Sequence, residues 1–218
     1  MELLIVGALL WLGVHVGIAG TGAREAMVRR IGEPAYRGVF ALLSLAAMVA
    51  LVIGYVRATP TVLWVAPAWF VVLVDAAMLA AFVLLAGAVG KPRGIGDEPR
   101  GIFRVTRHPM MAAVGIWSGA HLLANGDTAS ILFFGALLLT VLFGLPSADA
   151  KLARRDPARA SALHGATSRL PFGAILAGRN RLVVAEIGWL VPVAGVVAWA
   201  AVLHFHKLVI GVSPLPVW

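Results

Sequence analysis

Arg107-His108-Pro109-Met110-Met111-Ala112-Ala113-Val114-Gly115-Ile116-Trp117-Ser118-Gly119-Ala120-His121-Leu122-Leu123 is the stretch from which the fold is read. An apolar run opens on a charged, proline-capped corner and carries a histidine far inside. Such a run belongs in lipid, and an ionisable ring deep within it needs a reason to be there. A second ring of this kind, His15, stands alone in the first apolar segment.

Composition agrees. The 218 residues are 61% hydrophobic and 13% charged, with mean hydropathy +0.92. Soluble domains carry about 25% charged residues, which excludes an ordinary soluble globule. Six apolar runs are long enough for a hydrocarbon core of ~30 Å, which takes roughly 17–25 helical residues. They are Leu3 to Gly20, Gly38 to Val56, Val62 to Val89, Met110 to Ala124 (short unless its capped start counts), Thr128 to Leu145 and Leu182 to Leu203. Asp75 interrupts the third and Glu186 lies near the start of the sixth. The expected fold is all-α: a polytopic membrane helix bundle of six transmembrane helices, in a single domain over residues 1–218.

The net charge of +8 does not point to nucleic acid, because the charges sit in short loops between apolar runs. Basic loops of this kind set topology and face anionic lipid. The first loop holds Arg24, Arg29, Arg30 and Arg37. The third holds Lys91, Arg93, Arg100, Arg104 and Arg107. The fifth holds Lys151, Arg154, Arg155, Arg159, Arg169, Arg179 and Arg181. Of the 18 Lys and Arg only Arg57 and Lys207 fall elsewhere. The positive-inside rule then puts both termini outside and the three basic loops in the cytoplasm, as in a multi-pass protein of the cell inner membrane. The first run lacks a basic start and reads as a retained span, not a cleaved signal. Absence of cysteine removes disulfides, thiolate metal sites, iron–sulfur clusters and covalent heme attachment.

Depth can be estimated from the helical rise of 1.5 Å per residue. His15 lies roughly 20 Å from the outer start of its span and His121 roughly 18 Å from the inner start of its own. The two differ by roughly 8 Å in depth, which permits a shared site. Each has a tryptophan four residues earlier, Trp11 and Trp117, on the same helix face. These pairs either stack an aromatic over an imidazole beside a flat macrocycle or arise by chance. Gly13, Gly17 and Gly20 on the opposite face read as helix packing.

Asp75 is level with His121 on this scale. It either accepts the free N–H of a ligating imidazole or is protonated and bonds a hydroxyl or backbone group. Arg107-His108-Pro109 opens the fourth span with proline at a favoured first position. With Arg104 and Arg107 it forms an anion site suited to heme propionates, a phosphate head group or a nucleotide-like cofactor, or it is topology signal plus helix cap. Interfacial His108 is a weaker ligand candidate than His15 or His121.

The chain resembles the NnrU family of bacterial membrane proteins over nearly its whole length. The matching parts are Leu3-Leu-Ile-Val-Gly with His15, Ile31-Gly-Glu-Pro-Ala-Tyr-Arg, Gly54-Tyr-Val-Arg, and Gly101-Ile-Phe-Arg-Val-Thr-Arg-His-Pro with His121 downstream. Thr167-Ser-Arg-Leu-Pro-Phe-Gly-Ala-Ile and the closing His204-Phe-His with Gly211-Val-Ser-Pro complete the set. The resemblance implies a link to denitrification and nitric oxide metabolism. A related branch, the zeta-carotene cis–trans isomerases, binds b-type heme through two histidines. The matching positions are His15 and His121, with His108 in the shared corner. What the resemblance implies is heme b as cofactor, His15 and His121 as iron ligands, and a lipophilic small-molecule substrate reached from membrane lipid.

The Arg-His-Pro corner is also similar to membrane methyltransferases of the isoprenylcysteine and phospholipid types. Those continue with an aromatic and an acidic pair near the next helix end; here Met110 follows, and Asp149 alone stands near that end. A heme-dependent isomerase, such a methyltransferase and a non-catalytic membrane partner of a redox enzyme are the three functional expectations.

Overall fold

The computed structural model describes residues 1–89 and 98–215, and within them the chain is helical, with one isolated bridge between Val62 and Asp127. In order come α1 (Glu2–Leu12), a π-helical turn (Gly13–Ile18), α2 (Ala23–Ile31), α3 (Glu33–Val56) and α4 (Ala68–Val89). They are followed by α5 (Ile102–Val105), α6 (Pro109–Asn125), α7 (Thr128–Arg155), α8 (Pro157–Ala166), α9 (Gly173–Leu176), α10 (Val184–Ile187) and α11 (Leu190–Ile210). Lys91 and Arg93 of the third loop lie outside the described residues.

Four of these helices, α3, α4, α7 and α11, are long and apolar enough to cross a membrane. The segment Glu2–Ile18 with Ala23–Ile31, bent by 80°, makes a fifth if each bent pair is one span. The six-span expectation is therefore met by four or five. Helix α6 has 17 residues, about 25 Å of rise, the short end of the spanning range, and is not among them. The third apolar run also starts later than expected. Val62 to Pro67 is extended, because Leu63 and Trp64 donate their backbone N–H groups to Gly126 O and Thr128 N donates to Thr61 O. Gly126 has φ +66°, and a Cβ there would meet Trp64 O at 2.1 Å, so the contact requires glycine.

Two compact units are present. One comprises Met1–Val65 with His121–Ala148, the other Ala66–Ala120 with the residues from Asp149 onward. In the first, α1 and α3 run antiparallel in backbone contact. A Cβ on Gly7 would lie 2.6 Å from Leu51 N, and one on Gly54 would lie 2.6 Å from Leu4 N. Leu4 and Leu51 are fully buried between these glycines. Lipid tails are as apolar as leucine, so this contact is held by close van der Waals packing. The glycines expected to pack, Gly13 and Gly17, have nothing within 4 Å of an added Cβ, and Gly20 meets only the preceding turn of its own chain at Val16. Gly7 makes the approach in their place, because the rotation of α1 turns a different face toward α3.

In the second unit, Gly195 of α11 lies against the backbone of Val83 in α4. A core of Ala81, Leu84, Ile102, Val105, Ala112 and Ala113 joins α4, α5 and α6. Between Asp149 and Arg181 lies α8, capped by Asp156, whose carboxylate accepts Arg159 N, with Pro157 in the first turn.

Candidate functional site

His15 sits where α1 gives way to the π turn. Ala19 N donates to Val14 O at 3.0 Å, one residue further than an α-helix allows. Such insertions occur often at functional sites. His15 Nδ1 lies 3.0 Å from Trp11 O. A carbonyl only accepts, so Nδ1 carries the hydrogen and, in the neutral ring, Nε2 keeps its lone pair. The imidazole stacks on Trp11 with centroids 3.8 Å apart and planes 25° off parallel. Phe40 of α3 meets it edge-on at 5.3 Å. Trp11 Nε1 donates to Thr140 Oγ1 of α7 at 2.9 Å, and the Thr140 hydroxyl donates to Ala136 O at 2.9 Å.

His121 belongs to the same unit and stacks on Phe134 of α7, centroids 5.0 Å apart. Phe134 is buried and also touches Phe133 and the Tyr55 ring. One turn outward, Ser130 Oγ donates to Asp127 Oδ2 at 2.6 Å. The Tyr55 hydroxyl, 3.0 Å from Ser130 Oγ, therefore donates to it. Asn125 Nδ2 donates to the same Ser130 oxygen at 3.1 Å. Helix α7 thus measures both sites. The residues it offers, Phe134 to His121 and Thr140 to Trp11, are six apart in sequence, or about 9 Å along the axis.

Heme b, which the resemblance implies, asks for two imidazoles that each present one bare nitrogen and for a flat apolar lining. His15 has Nδ1 tied to a backbone carbonyl, the usual outer bond of a metal-ligating histidine, and Nε2 without a hydrogen-bond partner among the described residues. Trp11, Phe40 and Phe134 supply aromatic surface. The donor type of His15 and its aromatic neighbours fit one side of the group.

The remaining expected residues fall in the second unit. Arg104 grips Glu186 through Nε at 2.7 Å and Nη2 at 2.9 Å, and Nη1 donates to Asn180 Oδ1. Gly101 N donates to the same carboxylate. These bonds hold the Glu186 carboxyl down at about 2, the arginine contributing most, and raise Arg104 in turn. Arg179 donates to the carbonyls of His164, Gly165 and Thr167.

Arg107 makes a two-pronged bond to Asp149, at 2.9 and 2.8 Å. His108 Nε2 lies 2.8 Å from Asp149 Oδ1 and Arg169 Nε 2.5 Å from Oδ2. His164 Nε2 stands 3.5 Å away. The Asp149 side chain is 4% exposed. Burial pushes His108 below its ordinary range, and the bond to Asp149 only partly offsets it. Both arginines offered to an anion are thus already closed on carboxylates of the chain itself. Asp75 on α4 is half-buried and interacts electrostatically with His206 of α11. Trp117 lies one turn before His121 on α6 but in the other unit.

Sequence reading missed Thr140, Phe134 and Phe40, and noted Asp149 without its partners. Asp149 carried a signal: a carboxylate at the end of an uncharged span, in a chain whose loops are basic, needs a cation.

The NnrU family profile, described as NnrU protein, matches residues 3–214. The chain belongs to the NnrU family. It is 33% identical over 182 residues to the chloroplastic 15-cis-zeta-carotene isomerase of Zea mays, covering 78% of this chain and 49% of that protein. To the chloroplastic 15-cis-zeta-carotene isomerase of Arabidopsis thaliana it is 32% identical over 187 residues, covering 80% and 50%. The chain spans about half the length of these curated relatives. No solved structure matches.

Proposed function

We propose that this chain is a membrane-embedded isomerase of a lipophilic polyene that holds heme b between His15 and His121. The observation that carries this reading is the His15 geometry. Its Nδ1 is tied to Trp11 O, its Nε2 is left bare, and His121 belongs to the same unit. The likeness to two zeta-carotene isomerases supports the substrate class.

When bound, the heme would supply an iron able to coordinate an alkene and lower its barrier to rotation. The chain's own residues hold and orient. Trp11 fixes the His15 ring, Phe134 backs the His121 ring, and the apolar span interiors keep water from the polyene. Six crossings, with α6 among them and both termini outside a cell inner membrane, are the topology proposed with this function. A denitrification role, in which the same iron meets nitric oxide, shares this site. Closure of Arg107 and His108 on Asp149 favours the heme reading over a methyltransferase that needs those groups as cofactor anchors.

The test is an absorption spectrum of detergent-purified protein reconstituted with hemin, oxidised and then reduced, followed by incubation with a cis-polyene hydrocarbon. A Soret band lost in the His15→Ala, His121→Ala double variant, together with isomerised product from the wild type, is expected. No Soret band in the wild type, or one that survives both substitutions, overturns the heme assignment. An intact band without isomerised product overturns the isomerase assignment alone.

A further inference from the structure

We propose that α7 is an alignment rail for the two imidazoles, with Thr140 a positioning residue for His15 and Phe134 one for His121. The proposal rests on the reading of those histidines as an iron-binding pair, and goes beyond it in naming what aims them.

The bond from His15 Nδ1 to Trp11 O decides which nitrogen faces outward, but both groups ride on the same helix. It cannot set where that helix face points. The π turn around His15 adds a residue to the backbone ladder there, so the local register is not enforced by an ordinary α-helical repeat. A tether from another helix is needed, and Trp11 provides its attachment. The indole lies flat on the imidazole at 3.8 Å, so the imidazole follows wherever the indole is held. The indole is held by Thr140, whose oxygen accepts Nε1–H at 2.9 Å. Thr140 is itself oriented. Its hydrogen goes to Ala136 O, which leaves its lone pairs toward Trp11.

A threonine in an apolar helix satisfies itself through such a back-bond. The cross-helix bond to Trp11 is therefore additional, and it lands on the residue that covers His15. Six residues earlier on α7, Phe134 performs the matching task by stacking on His121. It is wedged between Phe133 and Tyr55, so its plane is not at liberty to turn. One rigid helix thus carries both reference points.

The experiment uses the full chain in detergent with two readouts. The first is 15N-histidine NMR of the apo protein, which reports how well the His15 ring is ordered without any iron; the tautomer itself is set within the same helix by Trp11 O. The second is hemin affinity by titration. Thr140→Val keeps shape and removes the acceptor. It is expected to shift and broaden the His15 ring resonances as the stacked indole is released, and to weaken hemin binding by roughly tenfold or more, the usual cost of losing an outer-shell partner. Thr140→Ser restores both. Phe134→Leu weakens hemin binding on the same scale and leaves the His15 resonances unchanged. A Thr140→Val protein with wild-type His15 resonances and an affinity within about twofold overturns the proposal. If wild type binds no hemin, the functional reading fails, and the His15 resonances of Thr140→Val alone decide whether Thr140 positions His15.

Discussion

The polar corner of the second unit and the histidine pair of the first are built from similar donors to opposite ends. Around Asp149, Arg107, Arg169 and His108 all aim at one carboxylate that is 4% exposed. Every lone-pair direction of that carboxylate is taken, and His164 waits at 3.5 Å. Among the described residues no ion pair involves His15. The ring is held by one backbone carbonyl and an aromatic face, and Nε2 keeps its lone pair. Saturated charge holds a structure together; an unsaturated neutral nitrogen leaves something over for a ligand. On the proposed reading the first cluster holds the fold and the second serves the chemistry.

Asp149→Asn puts the largest strain on that division. Removing one partner from a buried ion pair leaves the other charges uncompensated, at a cost of about 3–5 kcal/mol. The expected outcome is a steep fall in thermal stability in detergent, measured by unfolding of the purified protein. An Asp149→Asn protein as stable as wild type would show that the corner holds nothing.

His15→Ala should behave in the opposite way. It loses one hydrogen bond and one stacked contact, which costs about 1 kcal/mol, yet hemin binding should vanish. A large stability loss with retained hemin binding would reverse the two assignments. Gly54→Val lies between these in kind and in size. A Cβ at that position already meets the Leu4 backbone at 2.6 Å, and neither partner is a flexible side chain. Overpacking of this sort costs about 1–3 kcal/mol. It should push α1 from α3, carrying His15 away from Phe40, so lower stability and weaker hemin binding are expected together. A drop in one without the other would mean that α1 packing and the His15 site are independent.

How much of this was legible in the sequence follows from what lipid demands. A chain in hydrocarbon must satisfy its backbone internally, so apolar runs become helices and their positions could be read directly. The Trp11–His15 stack was visible too, because four-residue spacing places two side chains on one face. A stack that spacing could not show is that of His121 on Phe134, which comes from another helix. Rotation was illegible. Helix α1 is apolar all round, so no polar face tells which glycine turns toward α3, and Gly7 was passed over for Gly13 and Gly17. Thr140 was illegible for a related reason, as a hydroxyl in an apolar helix is normally explained by its own back-bond. The Arg107–Asp149 pairing spans 42 positions, and only folding brings the two together.

The smallest effect expected comes from the second carboxylate of the polar unit, and its sign can be fixed. Glu186 is held at about 2 against an ordinary 4.5, chiefly by Arg104. A carboxyl with a lowered folded value binds fewer protons folded than unfolded between those limits, so stability rises with pH across them. The contribution of the pair is therefore complete above about pH 4.5 and is lost as pH falls toward 2. The side chains of this pair are partly exposed, at 16% and 28%, so solvent screens it and the effect is modest beside that of Asp149. Melting temperature measured from pH 6 down to pH 3 should fall less steeply in Glu186→Gln than in wild type. Added salt should narrow the gap, as screening weakens an exposed pair more than a buried one. If the two proteins lose stability in parallel, Glu186 is not a clasp, and the charge that holds the polar unit is to be sought at the Asp149 cluster.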